Sequence, residues 1–309
     1  MTSHKRLVTV FFYPTDTNMF FSIELLFEAV VFGILLGCFY AAVSLGLSVA
    51  FGLLDVPHVA HPAILIVGSY GAYMLGTYGF DPILAGVVLM PVFFVFGVLL
   101  YRFYYETFEK RGSLAGVSGL AFFFGTAFII EIVLMIFFGV DQYSAEADYV
   151  GGSLELGNLR LPYRLLAAFG VALVMTAALS IYFSKTFTGR AIKAVGQDEL
   201  ALRLMGANPV KVKQWAFGIA TSVNALAGAM LIIVNPVEPS LDRIYIGRTF
   251  CVVVLAGLGS MSGTLVAGLL LGITESIVMM FFGVSWSQAV AFALLLIMLG
   301  VRPQGLFGR

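Results

Sequence analysis

Charged residues divide this sequence into long stretches that carry almost no charge. Such stretches are informative because an unpaired charge at the centre of a bilayer costs at least about 2.5–3.5 kcal/mol. A helix rises 1.5 Å per residue, so about 20 apolar residues cross the hydrocarbon core. The runs that reach this length, the fourth interrupted by Glu131, are 29–54, 56–80, 82–101, 112–140, 165–184, 214–237, 249–274 and 276–301. They predict an all-α transmembrane bundle of about eight spans, since barrel strands would alternate apolar and polar residues.

Composition supports a membrane protein. Of 309 residues, 60% are apolar and 11% are charged, and the mean hydropathy is +1.00, whereas a soluble domain carries about 25% charge. The 17 basic and 17 acidic residues cancel, so no net charge favours binding to nucleic acid, and lipid is the expected surrounding. Cys38 and Cys251 lie in separate apolar runs, which indicates buried inert thiols.

The distribution of charge predicts the orientation, because cytoplasmic loops are enriched in lysine and arginine. Segment 185–213 carries six basic residues against two acidic ones, whereas segment 141–161 carries four acidic residues against one basic one. The first segment is therefore predicted to face the cytoplasm and the second the opposite side.

One of the apolar stretches is predicted to be broken. Eight simple spans would leave Arg302 and Arg309 outside, which contradicts the same charge rule. The break lies in 248–283, where a short or re-entrant piece near 248–263 precedes a full span; such pieces are tolerated where protein buries them. The residues that interrupt the helix are Gly257, Gly259, Ser260, Ser262 and Gly263.

The amino end is predicted to be a tail or surface helix over residues 1–24, ahead of a single domain over 25–309. Counting spans places this end outside, while Lys5 and Arg6 favour the inside.

Small residues recur every four positions in three of the predicted helices. This spacing lets helix backbones approach closely in lipid and predicts tight packing. The columns are Gly33, Gly37 and Ala41; Gly68, Ala72 and Gly76; and Thr264, Gly268, Gly272 and Ser276.

Few residues in the apolar runs carry chemistry. His58 and His61 have a spacing that suits two ligands of one metal, but prolines flank them and a third ligand is missing nearby, so a capped turn is the favoured interpretation and no metal site is predicted. A serine motif at Gly116-Val117-Ser118-Gly119 resembles that of rhomboid proteases, yet every histidine of the sequence precedes it. The sequence has no phosphate-binding loop, so ATP hydrolysis by this chain is not expected.

Glu131 and Glu275 are the acidic residues inside apolar runs. An intramembrane carboxylate is a functional hypothesis by default, and a proton relay or a cation site is one interpretation. The favoured one is a carboxylate hydrogen-bonded to backbone or hydroxyl groups between helices. For Glu275, Thr274 and Ser276 are adjacent, and Ser260 and Ser262 are candidate donors. Asn224 is interpreted in the same way.

The cytoplasmic segment 185–213 contains the clearest local pattern. From Gly189 to Met205 polar residues recur at helical spacing, which predicts one amphipathic helix, with a solvated helix on the membrane surface as the alternative. Its apolar stripe consists of Ala194, Val195, Ala201, Leu202 and Met205. Gly206 is a C-terminal stop, and Asn208 with Pro209 provides the cap and first turn of the next helix.

On these residues the sequence resembles the H-type (LivH-like) permeases of branched-chain amino acid ABC importers, over about residues 25–309. Near the second span the family usually has Asn-Phe-Ala-His-Gly where this chain has 58–62, and His61 keeps its place. The matching motifs are Gly189-Arg190-Ala191, Asp198, Ala201, Gly206-Ala207-Asn208, Leu255-Ala256-Gly257-Leu258-Gly259-Ser260, Gly263, Gly268, Gly272-Ile273-Thr274-Glu275 and Arg302-Pro303-Gln304-Gly305-Leu306-Phe307-Gly308-Arg309.

The resemblance implies a non-enzymatic subunit of a bacterial or archaeal inner membrane that works with a homologous second permease, two cytoplasmic ATP-binding subunits and an external solute-binding protein. ATP would be used by those partners, and this chain would bind no cofactor. Hydrophobic amino acids are the expected substrate; urea, short amides or aromatic acids are the alternative, and an independent secondary transporter is a further one. Residues expected to couple to the ATPase are Gly189, Arg190, Lys193, Asp198, Gly206 and Asn208, and those expected along the substrate path are His61, Asn224, Ser260 and Glu275.

Overall fold

A computed structural model describes residues 23–111, 115–145, 147, 149–156 and 159–308. Within these ranges the chain folds into eleven α-helices and one two-stranded hairpin. In chain order they are α1 (Ile23–Ala50), α2 (His61–Thr77), α3 (Pro82–Thr107), α4 (Ala115–Phe138), β1 (Ser153–Leu156), β2 (Leu159–Pro162), α5 (Tyr163–Lys185), α6 (Phe187–Val195), α7 (Glu199–Leu204), α8 (Pro209–Val234), α9 (Asp242–Ala256), α10 (Met261–Phe282) and α11 (Ser287–Val301).

The predicted polytopic bundle is confirmed. Seven helical segments of the described chain are long and apolar enough to cross a bilayer: α1, α3, α4, α5, α8, α10 and the segment 284–301 that contains α11. The helices α2 and α9 are shorter, with 17 and 15 residues. The predicted tail over 1–24 lies outside the described residues up to position 22, and positions 23 and 24 begin α1.

The predicted break is present, but the last two predicted runs have different bounds. Glu275 separated them in the sequence, whereas in the structure it lies inside α10. The helix α9 ends at Ala256, and the next residues turn the chain with positive φ at Gly257 (89°) and Gly259 (81°), a conformation that favours glycine. Ser260 then caps α10, its Oγ accepting from the Gly263 N–H at 3.1 Å.

The carboxyl-terminal residues lie at the cytoplasmic end of the bundle. The N–H groups of Leu306 and Phe307 donate to the carbonyls of Leu255 and Ala256 at 2.9 and 3.1 Å. At the opposite end, the first turns of α1 line one cavity with Arg164 and Asn235. The first turns of α1 and the residues after α11 therefore lie at opposite ends of the bundle, and Arg302 is at the cytoplasmic end, as the charge rule predicts.

Two of the predicted glycine columns pack directly against each other. A Cβ on Gly37 of α1 would lie 2.7 Å from the carbonyl oxygen of Gly268 in α10, and one on Gly33 would lie 2.6 Å from the Ile273 Cα. The helices α2 and α8 approach in the same way, since a Cβ on Gly68 would lie 2.7 Å from the Asn224 carbonyl oxygen. Gly76 has no neighbour within 4 Å of its Cβ position, so only part of the second column is in contact.

The hairpin lies in the acidic segment that follows α4. Its strands are antiparallel, with Ser153 opposite Pro162 and Leu156 opposite Leu159. The sequence analysis did not predict this hairpin, because it searched for apolar runs of about 20 residues and each strand has only four.

A side chain at the contact between α1 and α10 should destabilise the bundle. For Gly268→Ala the added methyl would lie 2.6 Å from the Gly37 carbonyl oxygen, so the backbones must separate, and we expect a loss of about 1–3 kcal/mol. Thermal unfolding of the purified protein in detergent measures it. The control is Gly125→Ala in α4, where nothing lies within 4 Å of the Cβ position; equal stability of the two variants would contradict the prediction.

Candidate functional site

The cytoplasmic segment forms two short helices where the sequence predicted one. The helix α6 ends before Gly196, and α7 begins after Asp198, whose Oδ1 accepts from the N–H groups of Leu200 and Ala201 at 2.8 and 3.0 Å. The prediction of a continuous helix over 189–205 is wrong because this carboxylate caps the start of a new helix. Aspartate is one of the preferred residues at such N-cap positions.

The predicted coupling residues occupy distinct places on this segment. Gly189 is buried where a Cβ would lie 2.6 Å from the Phe183 Cα, whereas the side chains of Arg190 and Lys193 are exposed. Gly206 has φ of 84° and ends α7 as predicted. Asn208 caps α8 through Oδ1, which accepts from the N–H groups of Val210 and Lys211 at 3.1 and 3.3 Å.

Large apolar side chains of this segment are exposed on the surface of the described chain. Ala201 and Met205, predicted on its inner apolar stripe, are exposed, and the residues that pack inward are Ile192, Val195 and Leu202. The exposed apolar residues are Phe187 (77%), Leu200 (66%), Leu204 (82%) and Met205 (84%).

A buried lysine fixes the second short helix to the membrane domain. The Nζ of Lys213 in α8 donates to Glu109 at 2.9 Å, in the turn after α3, and also pairs with Glu199 of α7. The Tyr101 hydroxyl donates to the other oxygen of Glu109 at 2.8 Å. In the sequence Lys213 is only one of the loop charges. Its partner Glu109 lies 104 residues away along the chain, so no local pattern indicates the pair.

His61 and Asn224, both predicted along the substrate path, contact each other in the core. The His61 Nε2 lies 2.8 Å from the Val43 carbonyl oxygen, which only accepts, so this nitrogen carries the proton. The Nδ1 then accepts from the Asn224 amide at 3.0 Å. The Oδ1 of Asn224 is buried without a hydrogen-bond partner in the described structure.

The predicted turn between α1 and α2 is present, since the carbonyl oxygen of His58 accepts from the His61 N–H at 3.2 Å, but α2 has no side-chain cap. The His58 ring is buried between Phe123 and Phe217, with centroids 4.9 and 4.6 Å away. Both ring nitrogens of His61 are already hydrogen-bonded, which leaves neither free for a metal shared with His58.

Glu275 forms an ion pair with an arginine and does not bond to the predicted serines. Its Oε1 pairs with the Nη2 of Arg248 in α9, and the guanidinium lies 5.3 and 5.5 Å from the ring centroids of Tyr40 and Tyr245. The candidate donors Ser260 and Ser262 lie at the start of α10, more than a dozen residues before Glu275, and are therefore too far away to contact it. The sequence interpretation missed Arg248 because this residue stands at the edge of a charge-free run.

Glu131 also pairs with an arginine of α9. The Nη2 of Arg243 donates to Glu131 Oε1 at 2.6 Å, and the carboxylate side chain is only 5% exposed while the arginine is 65% exposed. The two intramembrane carboxylates are thus each neutralised by one residue of the same helix.

The four residues predicted along the substrate path do not form one cluster. His61 and Asn224 lie together between α2 and α8, Glu275 lies with Arg248, and Ser260 caps the cytoplasmic start of α10. Ser260 and Glu275 are 15 residues apart on one helix, a rise of about 22 Å.

Comparison with known proteins identifies the relatives of this fold. The family described as branched-chain amino acid transport system / permease component matches residues 29–299. The high-affinity branched-chain amino acid transport system permease protein BraD of Pseudomonas aeruginosa is 26% identical over 300 residues, 91% of this chain and 95% of its own. LivH of Escherichia coli K12 is 26% identical over 304 residues, 90% of this chain and 94% of its own.

LivM, a second permease protein of the Escherichia coli system, is 25% identical over 301 residues, 86% of this chain and 67% of its own. No solved structure matches the chain. Because the family match extends from the second turn of α1 to the last turn of α11, this multi-pass plasma-membrane chain belongs to the family of permease components of branched-chain amino acid transport systems.

Proposed function

We propose that this chain forms, with a second homologous permease, the membrane path of an ABC importer for branched-chain or other hydrophobic amino acids. The family match over residues 29–299 carries this proposal. Two of these relatives, LivH and LivM, are both named as permease proteins of the high-affinity branched-chain amino acid transport system of Escherichia coli, which supports a pair of related permeases. Two cytoplasmic ATP-binding subunits would hydrolyse ATP, and an external solute-binding protein would deliver the amino acid.

The short helices α6 and α7 are the proposed docking element for an ATP-binding subunit. Four large apolar side chains stand in solvent there beside the exposed Arg190 and Lys193. Buried apolar anchors with a charged rim are the usual composition of a protein interface. An acidic rim on the ATP-binding subunit would meet the two basic residues.

Motion of α7 would reach the membrane domain through Lys213. This residue joins Glu199 of α7 to Glu109 after α3 and is itself part of α8. A displacement of the docking element would therefore move the cytoplasmic ends of α3 and α8 together, and α8 carries Asn224 near its middle. In this scheme ATP-driven closure changes which side of the path is open.

Uptake by the complete importer tests the substrate. Cells that carry this chain with its partner subunits should accumulate labelled L-leucine, and should take up urea and benzoate far more slowly. Few polar side chains line the spans, so the path suits a substrate with an apolar side chain that needs only transient polar contacts. A preference for urea, benzoate, sugars or metal ions would contradict the proposal.

Changes at Arg190 and Gly206 should separate docking from coupling. Arg190→Glu should weaken binding of the ATP-binding subunit by tenfold or more, since a charge-assisted hydrogen bond contributes about 1.5–3 kcal/mol. Gly206→Val should leave binding nearly intact and uncouple hydrolysis from uptake, because a Cβ at φ of 84° costs about 1 kcal/mol or more and re-aims α8. Bound subunit, hydrolysis and flux are measured together after reconstitution.

Gly139→Val provides the matched control for Gly206→Val. Gly139 also has a positive φ (76°) and nothing within 4 Å of its Cβ position, but it lies after α4 at the opposite end of the bundle. The control variant should keep hydrolysis and uptake coupled. Normal coupled flux in both Arg190→Glu and Gly206→Val would show that the cytoplasmic segment does not transmit motion.

We expect the ion pair of Arg248 and Glu275 to stabilise the fold and not to take part in transport directly. Glu275→Gln leaves a guanidinium that is only 14% exposed without its counter-charge, which should lower the free energy of unfolding by about 3–5 kcal/mol. Replacing both residues, as Arg248→Met with Glu275→Leu, should restore most of that loss. Thermal unfolding and leucine uptake are compared; a stable double variant that transports nothing would assign the pair to the substrate path.

A further inference from the structure

A cavity of about 420 Å³ opens between α2, α4 and α9. Its volume falls within the range of about 300–1,000 Å³ that is typical of small-molecule sites. Most of the wall is apolar, and one edge is charged. The lining residues are Val59, Pro62, Phe124, Ala127, Phe128, Glu131, Asp242, Arg243 and Ile246.

The cavity extends from the extracytoplasmic end of the bundle toward the middle of the membrane. Asp242 is the first residue of α9, and Glu131 lies seven residues before the end of α4, about 10 Å along the helix. Phe124 lies fourteen residues before that end, about 21 Å along it. A solute that enters beside α9 would therefore meet the charged groups first and the aromatic wall deeper.

The charged edge offers both signs at short separation. The Glu131 carboxylate is nearly buried and pairs with Arg243 at 2.6 Å through one nitrogen, Nη2. The arginine is largely exposed, so its remaining donors are available to a solute. The Oδ1 of Asp242 is buried and has no hydrogen-bond partner among the residues that the structure describes.

We propose that this cavity binds the α-amino acid itself, an inference that rests on the proposed function and names its site. The ammonium group lies against Glu131 and Asp242, the carboxylate against the guanidinium of Arg243, and the apolar side chain against Phe124, Phe128 and Ile246. A zwitterion adds no net charge to the membrane interior, so its entry leaves the local charge balance unchanged.

The alternatives fit the cavity less well. A bare cation would find the carboxylates beside a competing guanidinium, and an uncharged amide would leave the two carboxylates and the arginine with only each other. A purely structural pair between α4 and α9 needs neither the empty volume nor the unpartnered Asp242 oxygen.

Protection of an introduced thiol tests the site without requiring transport. Ala127→Cys places a thiol in the cavity wall, while the two natural cysteines, Cys38 and Cys251, are buried elsewhere. In reconstituted permease pairs, L-leucine at about ten times its Kd should slow labelling by a small maleimide by about tenfold, because only the unoccupied site reacts. Ser144→Cys, exposed on the same side of the membrane, is the control that leucine should not protect.

Two analogues that each lack one charge distinguish this site from an apolar pocket. 4-Methylpentanoate lacks the ammonium group and 3-methylbutylamine lacks the carboxylate, so neither should protect at the concentration where L-leucine does. Equal protection by all three compounds, or none by L-leucine, would overturn the proposal.

Glu131→Gln separates a binding role from a structural one. The amide oxygen still accepts from Arg243, so the tie between α4 and α9 persists, but the charge that attracts an ammonium group is removed. Leucine protection should weaken by about tenfold while thermal unfolding changes little; the matched control is Glu238→Gln, an extracytoplasmic carboxylate outside the cavity. Unchanged protection in Glu131→Gln would assign the pair to structure alone.

The outcome is separable from that of the proposed function. If the wild-type importer accumulates L-leucine but the thiol at position 127 is not protected, the cavity assignment is wrong and the transported substrate stands. If the wild-type importer takes up urea or benzoate in preference to L-leucine, the proposed function is wrong instead.

Discussion

Backbone contact between helices is the constraint on which this bundle depends. Lipid tails are as apolar as leucine, so helices gain stability in a membrane from close packing and from polar contacts. Gly33 and Gly37 of α1 lie directly against Gly268 and Ile273 of α10, and Gly68 of α2 lies against α8. These approaches bring α1, α2, α8 and α10 into one core, and the more exposed helices α3, α4 and α5 surround it.

The second constraint is the neutralisation of charge inside that core, and α9 supplies it. Its Arg243 and Arg248 lie five residues apart and pair with carboxylates of two different helices, α4 and α10. A helix of 15 residues is short for a span, and these two ion pairs attach it to α4 and α10. The proposed amino acid site lies at the more exposed of the two pairs, where one partner is still accessible to a solute.

The sequence predicted local features well and long-range pairs poorly. The helix break at Gly257 and Gly259, the stop at Gly206 and the cap at Asn208 are visible within a few residues, because backbone conformation and capping depend on local chemistry. The partner of Glu275 was missed since pairing depends on how helices assemble, and the runs 249–274 and 276–301 were misplaced because an ion pair allows a charge inside a helix. The split between α6 and α7 results from the Asp198 cap, which starts a new helix inside a segment whose amphipathic pattern predicted one continuous helix.

The hydrogen bonds from Leu306 and Phe307 to the end of α9 connect an internal helix end to residues that are synthesised much later. The last carbonyls of a helix have no partner within it and must be satisfied elsewhere, and at α9 two of them are satisfied by residues made fifty positions later. The residues after α11 are thus the cap of an interior helix. The hydrogen bonding of the break between α9 and α10 can be completed only after the residues that follow α11 have been made.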